Sequence, residues 1–187
     1  MNPLDHWLFL LLNAGPDVPL VVVAVFRLIS SSLLAVLVIS VAAASLWQRQ
    51  RRPALLCGLA AMLVAAIAVW LIRSALPLPR PAALGLGVQW LAQNAGRPGF
   101  PSAHTTAAFA FATALLLARW RGAAATAFLA AALIGYSRIF LGMHFPSQVL
   151  AGALLGTALS LSLLPLDTAI ARRIDKFRNL RQGQVAR

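Results

Sequence analysis

Residues 54–72 read ALLCGLAAMLVAAIAVWLI, a run without a charged side chain. A helix needs about 20 apolar residues to cross the hydrocarbon core of a bilayer, so this run is long enough to span one. Four further apolar runs lie within residues 19–46, 102–118, 122–140 and 148–165. The chain of 187 residues is 60% hydrophobic and 11% charged, which is typical of membrane proteins. The pattern predicts an all-α, polytopic transmembrane helical bundle with five spans.

The N-terminal segment is apolar but short. Residues 7–14 read WLFLLLNA, too few to cross a bilayer. We expect residues 4–14 to form a helix in the membrane interface, with Trp7 as its anchor. A sixth span that begins at Leu4 is the alternative. Because the segments between the apolar runs are short, residues 1–187 are predicted to form a single domain.

The formal net charge of +12 raises the question of nucleic-acid binding. Eleven of the sixteen basic residues fall into three segments that each adjoin an apolar run: Arg49, Arg51 and Arg52; Arg119 and Arg121; Arg172, Arg173, Lys176, Arg178, Arg181 and Arg187. A nucleic-acid-binding face would gather such charges on one soluble surface. Basic segments between spans are instead the positive-inside pattern of membrane proteins. The sequence therefore predicts contact with membrane lipids and none with nucleic acid, and it leaves the oligomeric state open.

The positive-inside rule also predicts the topology. The cytoplasmic segments are then residues 47–53, 119–121 and 166–187, the last being a basic cytoplasmic tail. The outer segments are residues 1–18, 73–101 and 138–147. Three clusters of arginine and histidine fall in or beside the outer segments, although the orientation argument did not use them. This agreement predicts one shared site on the outer side.

The first cluster is Arg73-x6-Arg80-Pro81. Two guanidinium groups repel one another unless an anion lies between them. Arginine offers a planar fork of donors that matches phosphate oxygens. Taken alone, each arginine has an ordinary explanation, because a charged side chain at a helix end commonly extends toward water.

The second cluster is Pro101-Ser102-Ala103-His104, which opens the third apolar run. Ser102 is a good N-cap residue, and an anion at a helix N-terminus gains backbone donors and the helix dipole. His104 in the first turn is suited to protonate a leaving oxygen.

The third cluster is Ser137-Arg138-x5-His144. Gln148 follows His144 by four residues, close to one helical turn. It is expected to accept a hydrogen bond from the ring N–H of His144 and so to orient the ring.

Together the clusters resemble the signature of the type 2 phosphatidic acid phosphatase (PAP2) superfamily, which reads K-x6-R-P, P-S-G-H and S-R-x5-H-x3-D. The spacing within each cluster agrees. The stretch FPSAHTT…SRIFLGMHFPSQVLAG also resembles the bacitracin-resistance-type undecaprenyl diphosphate phosphatases, which act at the outer face of the bacterial inner membrane.

The resemblance implies a PAP2-like core and a role for each matching residue. His144 corresponds to the nucleophile that forms a phosphohistidine, and His104 to the general acid. The phosphoryl oxygens would be held by Arg73, Arg80, Ser102, Ala103 and Arg138. No metal and no other cofactor is implied, since arginines neutralise the phosphate.

Three positions depart from the family pattern. Arg73 stands where the family has lysine, Ala103 stands for glycine, and Gln148 stands for aspartate. Glutamine orients a histidine but adds no negative charge. A hypothesis is that another outer carboxylate, Asp5 or Asp17, approaches the site.

The resemblance thus implies a metal-independent lipid phosphate or diphosphate phosphatase of the bacterial inner membrane, and the charge pattern predicts that its site is outside and its C-terminus cytoplasmic. The best candidate substrate is undecaprenyl diphosphate, cleaved to undecaprenyl phosphate. The alternative substrates are phosphatidylglycerophosphate, phosphatidate and lipid A. An alternative reaction is the transfer of phosphate to another lipid. A catalytically weakened protein that binds lipid phosphate is a second alternative, for which Gln148 is the main support. A small transporter is a third class, for which Arg27 is the one candidate intramembrane charge.

Overall fold

A computed structural model describes residues 3–91 and 96–163, and all regular structure in these ranges is helical. Six α-helices follow in order: α1 Pro3–Leu12, α2 Leu20–Trp47, α3 Arg52–Ala75, α4 Ala103–Leu117, α5 Arg121–Phe140 and α6 Pro146–Leu163. Short 3-10 helices occupy Arg49–Arg51 and Pro81–Leu84. The predicted basic tail 166–187 lies outside the described residues.

The five predicted spans correspond to α2 through α6. Four of them, α2, α3, α5 and α6, are long and apolar enough to cross a membrane. The helix α4 has 15 residues, which rise about 22 Å at 1.5 Å per residue. The chain is therefore an all-helical, multi-pass membrane protein, as predicted.

The helix α1 is too short to span. Its 10 residues rise about 15 Å, half the thickness of a hydrocarbon core. Leu4, Trp7 and Leu11 on one face are more than half exposed, whereas Phe9 on the other face is fully buried. This division favours the predicted arrangement of five spans with an additional N-terminal helix over the alternative of six spans.

The helix α4 forms the centre of the bundle. It packs against α3 and α5, and nine of its residues are buried. The helix α6 crosses it at two glycines. A Cβ at Gly152 would lie 2.8 Å from the carbonyl oxygen of Ser102, and one at Gly156 would lie 2.2 Å from that of Thr106. Small residues thus let the two backbones approach closely, as the sequence indicated.

The two basic segments within the described residues, 49–52 and 119–121, lie at the opposite end of the bundle from the arginine–histidine clusters. At one end the guanidinium of Arg51 lies 5.6 Å from the ring centre of Trp120, so the α2–α3 and α4–α5 connections meet there. The helices α3 and α5 then run through the bundle to Arg73 and Arg138. The described basic connections and the clusters are therefore separated by the length of the bundle.

Candidate active site

The three arginines are held by contacts from different parts of the chain. Arg73 at the end of α3 donates to the carbonyl oxygen of Pro101 at 2.8 Å. Arg80 in the following loop donates through Nε to the carbonyl oxygen of Arg97 at 3.0 Å. Arg138 at the end of α5 donates to the hydroxyl of Ser30 in α2. Further bonds of 3.5 Å run from Arg80 to the carbonyl oxygens of Met143 and Pro98.

Within residues 3–91 and 96–163, no acidic side chain pairs with these three arginines. Arg80 is 5% exposed and Arg138 is 6% exposed. The Nε atoms of Arg73 and Arg138 are buried and have no hydrogen-bond partner. Each guanidinium carries five N–H donors, so several remain for a ligand. Buried charges need pairing, which an anion bound between the arginines would supply.

The second cluster forms the start of α4. Ser102 is the N-cap residue and is fully buried, but its hydroxyl shares a hydrogen bond of 2.9 Å with that of Thr105 rather than capping the backbone. Ala103 opens the helix, and His104 follows with an exposed side chain. The first N–H groups of a helix lack partners within it, so this terminus offers donors to an anion.

His144 lies in the turn between α5 and α6 and is 1% exposed. Its Nδ1 is 3.1 Å from Gln148 Oε1, the contact that the four-residue spacing predicted. Gln148 Nε2 donates to the carbonyl oxygen of Pro79 at 2.8 Å, and Oε1 also accepts from the backbone N–H of Phe145 at 3.3 Å. Because Oε1 is the acceptor, His144 Nδ1 carries the proton, and Nε2 keeps a free lone pair.

Burial and the neighbouring arginines lower the pKa values of His144 and Arg80 in the loops. Burial lowers the pKa of His144 well below the ordinary value of 6.5, and the charges of Arg80 and Arg138 lower it further, while the bond to Gln148 acts in the opposite direction. The imidazole is therefore neutral at neutral pH. Burial also lowers the pKa of Arg80 to about 10, with smaller contributions from Arg73 and Arg97, and Arg80 stays charged.

All three predicted clusters converge at one end of the bundle. Arg73, Arg80 and Arg138 each lie close enough to His104 to interact with it electrostatically, and the same three act on His144. The backbone N–H of Ser102 donates to the carbonyl oxygen of Gln148 at 3.0 Å, which joins the start of α4 to the start of α6. The predicted site residues thus lie together in one positively charged region.

Some contacts were not foreseen from the sequence. Ser30 supports Arg138, and the only local signal was a polar triplet, Ser30–Ser32, within an apolar helix. Pro79 holds Gln148, but a backbone carbonyl leaves no sequence signal. Thr105 and Thr106 are fully buried beside Ser102. The hydroxyl of Thr106 donates to the carbonyl oxygen of Ser102 at 2.8 Å.

The structure also bears on the hypothesis of a substitute carboxylate. Asp17 is exposed in the turn between α1 and α2. Asp5 approaches the site only as far as Ser147, whose backbone N–H donates to its Oδ1 at 2.9 Å. In residues 3–91 and 96–163, no three His, Cys, Asp or Glu side chains come together as a metal site would require. The expectation of metal independence stays a prediction.

Comparisons with known proteins identify the family. The family model described as the PAP2 superfamily matches residues 53–170, more than half of the chain. A protein of Escherichia coli (strain K12) named "Putative undecaprenyl-diphosphatase YbjG" is 30% identical over 157 residues, covering 83% of this chain and 79% of that protein. The Lipid A 1-phosphatase of Rhizobium johnstonii is 45% identical over 65 residues, covering 33% of this chain and 25% of that protein.

A solved structure shares the fold. The crystal structure of Aquifex aeolicus LpxE has a TM-score of 0.63 and 31% sequence identity to this chain, and the match covers 88% of this chain and 96% of that one. The family match contains all eight predicted site residues, from Arg73 to Gln148. On the sequence, the fold and these matches, the chain belongs to the PAP2 superfamily and is a membrane phosphatase.

Proposed function

We propose that this phosphatase hydrolyses a lipid phosphate or diphosphate through a phosphohistidine intermediate on His144. One observation carries the proposal: the amide of Gln148, fixed by Pro79, holds His144 with Nδ1 protonated and Nε2 free. Nε2 is then the atom that attacks phosphorus. The neutral state of this buried imidazole supports the same role, since a protonated ring has no lone pair to offer.

In the first step His144 Nε2 forms a bond to phosphorus as the bond from phosphorus to the lipid-bearing oxygen breaks. His104 donates a proton to that departing oxygen. Arg73, Arg80 and Arg138 neutralise the charge on the non-bridging oxygens. The hydroxyl of Ser102 and the backbone N–H of Ala103 add donors at the α4 N-terminus. No metal and no other cofactor is needed for this balance of charge.

In the second step a water molecule attacks the phosphorus of phosphohistidine. His104, which has lost its proton, accepts one from the water. The bond between phosphorus and Nε2 breaks, inorganic phosphate leaves, and His144 returns to the neutral state with Nδ1 still protonated. Gln148 Oε1 accepts from Nδ1 throughout, so the ring keeps its orientation during both steps.

Undecaprenyl diphosphate, cleaved to undecaprenyl phosphate, is the substrate that we propose. The relative from Escherichia coli, which matches over most of its length, carries this substrate in its name. Lipid A is the second candidate, because the Rhizobium relative is named for it and matches across a shorter region. Phosphatidylglycerophosphate and phosphatidate complete the set to be tested.

We further propose that residues 1–187 act as one domain in the bacterial inner membrane, with the site facing the outside and the C-terminus in the cytoplasm. The support is the separation of the basic connections from the site by the length of the bundle. This orientation is tested by cysteine labelling of intact cells with a thiol reagent that does not cross the membrane. Gly15→Cys and Gly122→Cys are made singly in a Cys57→Ala background. We expect modification at position 15 and none at 122, and the reverse pattern would overturn it.

The activity is tested as phosphate release by the purified protein in detergent micelles. The substrates are undecaprenyl diphosphate, lipid A, phosphatidylglycerophosphate and phosphatidate, each with and without EDTA, and His144→Ala serves as the inactive control. We expect EDTA-resistant release that is largest with undecaprenyl diphosphate and absent in His144→Ala. Acid-labile, alkali-stable labelling of the wild type from a ³²P-labelled substrate would identify the phosphohistidine.

Other outcomes distinguish the alternatives. A preference for lipid A would transfer the assignment to that substrate. Release that EDTA abolishes would overturn the metal-free mechanism. Binding of the lipids without release from any of them would support the weakened phosphate-binding protein.

A further inference from the structure

The helix α1 contacts the turn that carries His144, although it precedes the residues that the family model matches. The ring of His6 stacks on that of Phe145, with centroids 5.3 Å apart and planes inclined by 17°. Phe9 meets the same ring edge-on at 5.3 Å. Phe145 follows His144 directly in the chain, so α1 packs against the neighbour of the proposed nucleophile.

A carboxylate on α1 holds the next turn of the chain. Asp5 Oδ1 accepts from the backbone N–H of Ser147 at 2.9 Å, and Oδ2 accepts from its hydroxyl. Ser147 lies in the first turn of α6, where backbone N–H groups lack partners within the helix. A negative charge there also interacts favourably with the positive end of the helix dipole. Asp5 therefore caps α6 from another helix.

The capped residue lies between the two members of the proposed nucleophile pair. His144 precedes α6, and Gln148 directly follows Ser147 within it. The distance of 3.1 Å between His144 Nδ1 and Gln148 Oε1 depends on the start of α6 staying wound and in place. A first turn that frays would carry Gln148 away from His144 and allow the other tautomer of the ring.

We propose that Asp5 is a positioning residue for His144, acting through Ser147 and the first turn of α6. This inference rests on the proposed function of His144. It assigns to α1 a part in catalysis besides contact with the membrane. The exposed apolar face of α1, which includes Leu4 and Trp7, anchors the helix in the interface and so holds Asp5 in place.

The test compares Asp5→Ala with Asp17→Ala, an exposed acid in the turn after the same helix. We expect Asp5→Ala to lower kcat about tenfold with little change in KM or in Tm, because small misplacements of reacting groups are costly in rate. Asp17→Ala should match the wild type. Asp5→Asn should lie between them, since its amide oxygen still accepts from the Ser147 N–H while the charge is lost.

A second readout does not depend on turnover. The chain has three histidines, so ¹⁵N labelling of histidine yields a simple spectrum of ring nitrogens in micelles. The wild type and Asp17→Ala should show His144 as the pure Nδ1–H tautomer, whereas Asp5→Ala should show a mixture. Assignment comes from the signals lost in His144→Ala and His6→Ala.

The two proposals fail in different ways. Equal kcat and an unchanged tautomer in Asp5→Ala and Asp17→Ala would overturn the positioning role while wild-type release stays dependent on His144. A fall in kcat that follows a fall in Tm, with the tautomer unchanged, would also overturn it in favour of a structural cap. Phosphate release that persists in His144→Ala would instead overturn the proposed function.

Discussion

Gln148 Nε2 donates a hydrogen bond to the carbonyl oxygen of Pro79 at 2.8 Å, and this contact decides which end of the amide faces His144. An aspartate or glutamate has no donor to offer at that oxygen. The amide therefore satisfies two demands at once, a donor toward Pro79 and an acceptor toward His144 Nδ1. Glutamine in place of the family's aspartate is built into its surroundings, which argues against a decayed site.

Loss of the amide should disable His144, the proposed nucleophile. In Gln148→Ala, the Nδ1 atom of His144 and the carbonyl of Pro79 both lose their partner, and the ring is free to place its proton on Nε2. We expect kcat to fall by roughly two to four orders of magnitude, the upper limit being the effect of the wrong tautomer in a protease triad. The measurement is single-turnover phosphorylation of His144, with Gln89→Ala as a glutamine control. A fall of less than threefold would contradict the orienting role.

Close packing at Gly99 should matter for the same amide. A Cβ at this position would lie 2.7 Å from Gln148 Oε1, 2.8 Å from Nε2 and 2.9 Å from Arg80 Cγ. Gly99→Ala should therefore displace the Gln148 amide and lower kcat at least tenfold, since a misplacement of about 1 Å can cost 100-fold. Gly96→Ala is the control in the same loop, because nothing lies within 4 Å of its Cβ.

A double mutant tests the route of the Gly99 effect. If the added methyl acts by moving the amide, Gly99→Ala should cost little further activity once Gln148 is alanine, because interacting sites are not additive. Full additivity of the two losses in kcat would show that Gly99 acts elsewhere, for example through Arg80.

Apolar runs predicted most of the fold. Each of the five runs became a helix whose bounds differ by a few residues, because helices in a bilayer must satisfy their own backbone and local hydropathy therefore determines them. The pairing of His144 with Gln148 was predictable for a related reason. A spacing of four residues brings two side chains close together at the start of a helix, although contacts from other segments then orient them.

Contacts between distant segments were not predictable in this way. The bonds from Arg138 to Ser30 and from Gln148 to Pro79 join positions 108 and 69 residues apart. The periodicity of single helices contains no information on how they are placed against one another. The hypothesis of a substitute carboxylate illustrates this limit: Asp5 lies near the site, but its partner is Ser147 rather than a histidine.

The crossing of α4 and α6 should tolerate no added side chain at Gly156. A Cβ there would lie 2.2 Å from the carbonyl oxygen of Thr106 and 2.9 Å from the N atom of Ala110, both backbone atoms that cannot turn away. We expect Gly156→Ala to destabilise the protein by about 1–3 kcal/mol and to lower Tm by about 2–10 °C. Gly122→Ala in α5 meets nothing within 4 Å and is the control. An unchanged Tm in Gly156→Ala would mean that the two helices are further apart.

The acid limb of activity should report the protonation of His144. Burial and the charges of Arg80 and Arg138 lower the pKa of His144 well below 6.5, so the free lone pair on Nε2 persists in mildly acidic solution. As pH falls, the nucleophile is lost only when the pH passes this lowered value. Protonation of His144 should therefore not reduce kcat/KM at pH values somewhat below 6.5.

Gln148→Glu separates His144 from other groups that titrate in this range. The ionisation of the substrate phosphate is common to both proteins, whereas a carboxylate beside His144 favours the charged imidazole and raises its pKa. The acid limb of kcat/KM should consequently lie at higher pH in Gln148→Glu than in the wild type, even if its maximum is lower. The measurement is kcat/KM from pH 4.5 to 8 with one diphosphate lipid. Superimposable acid limbs would show that another group, and not His144, controls activity on the acid side.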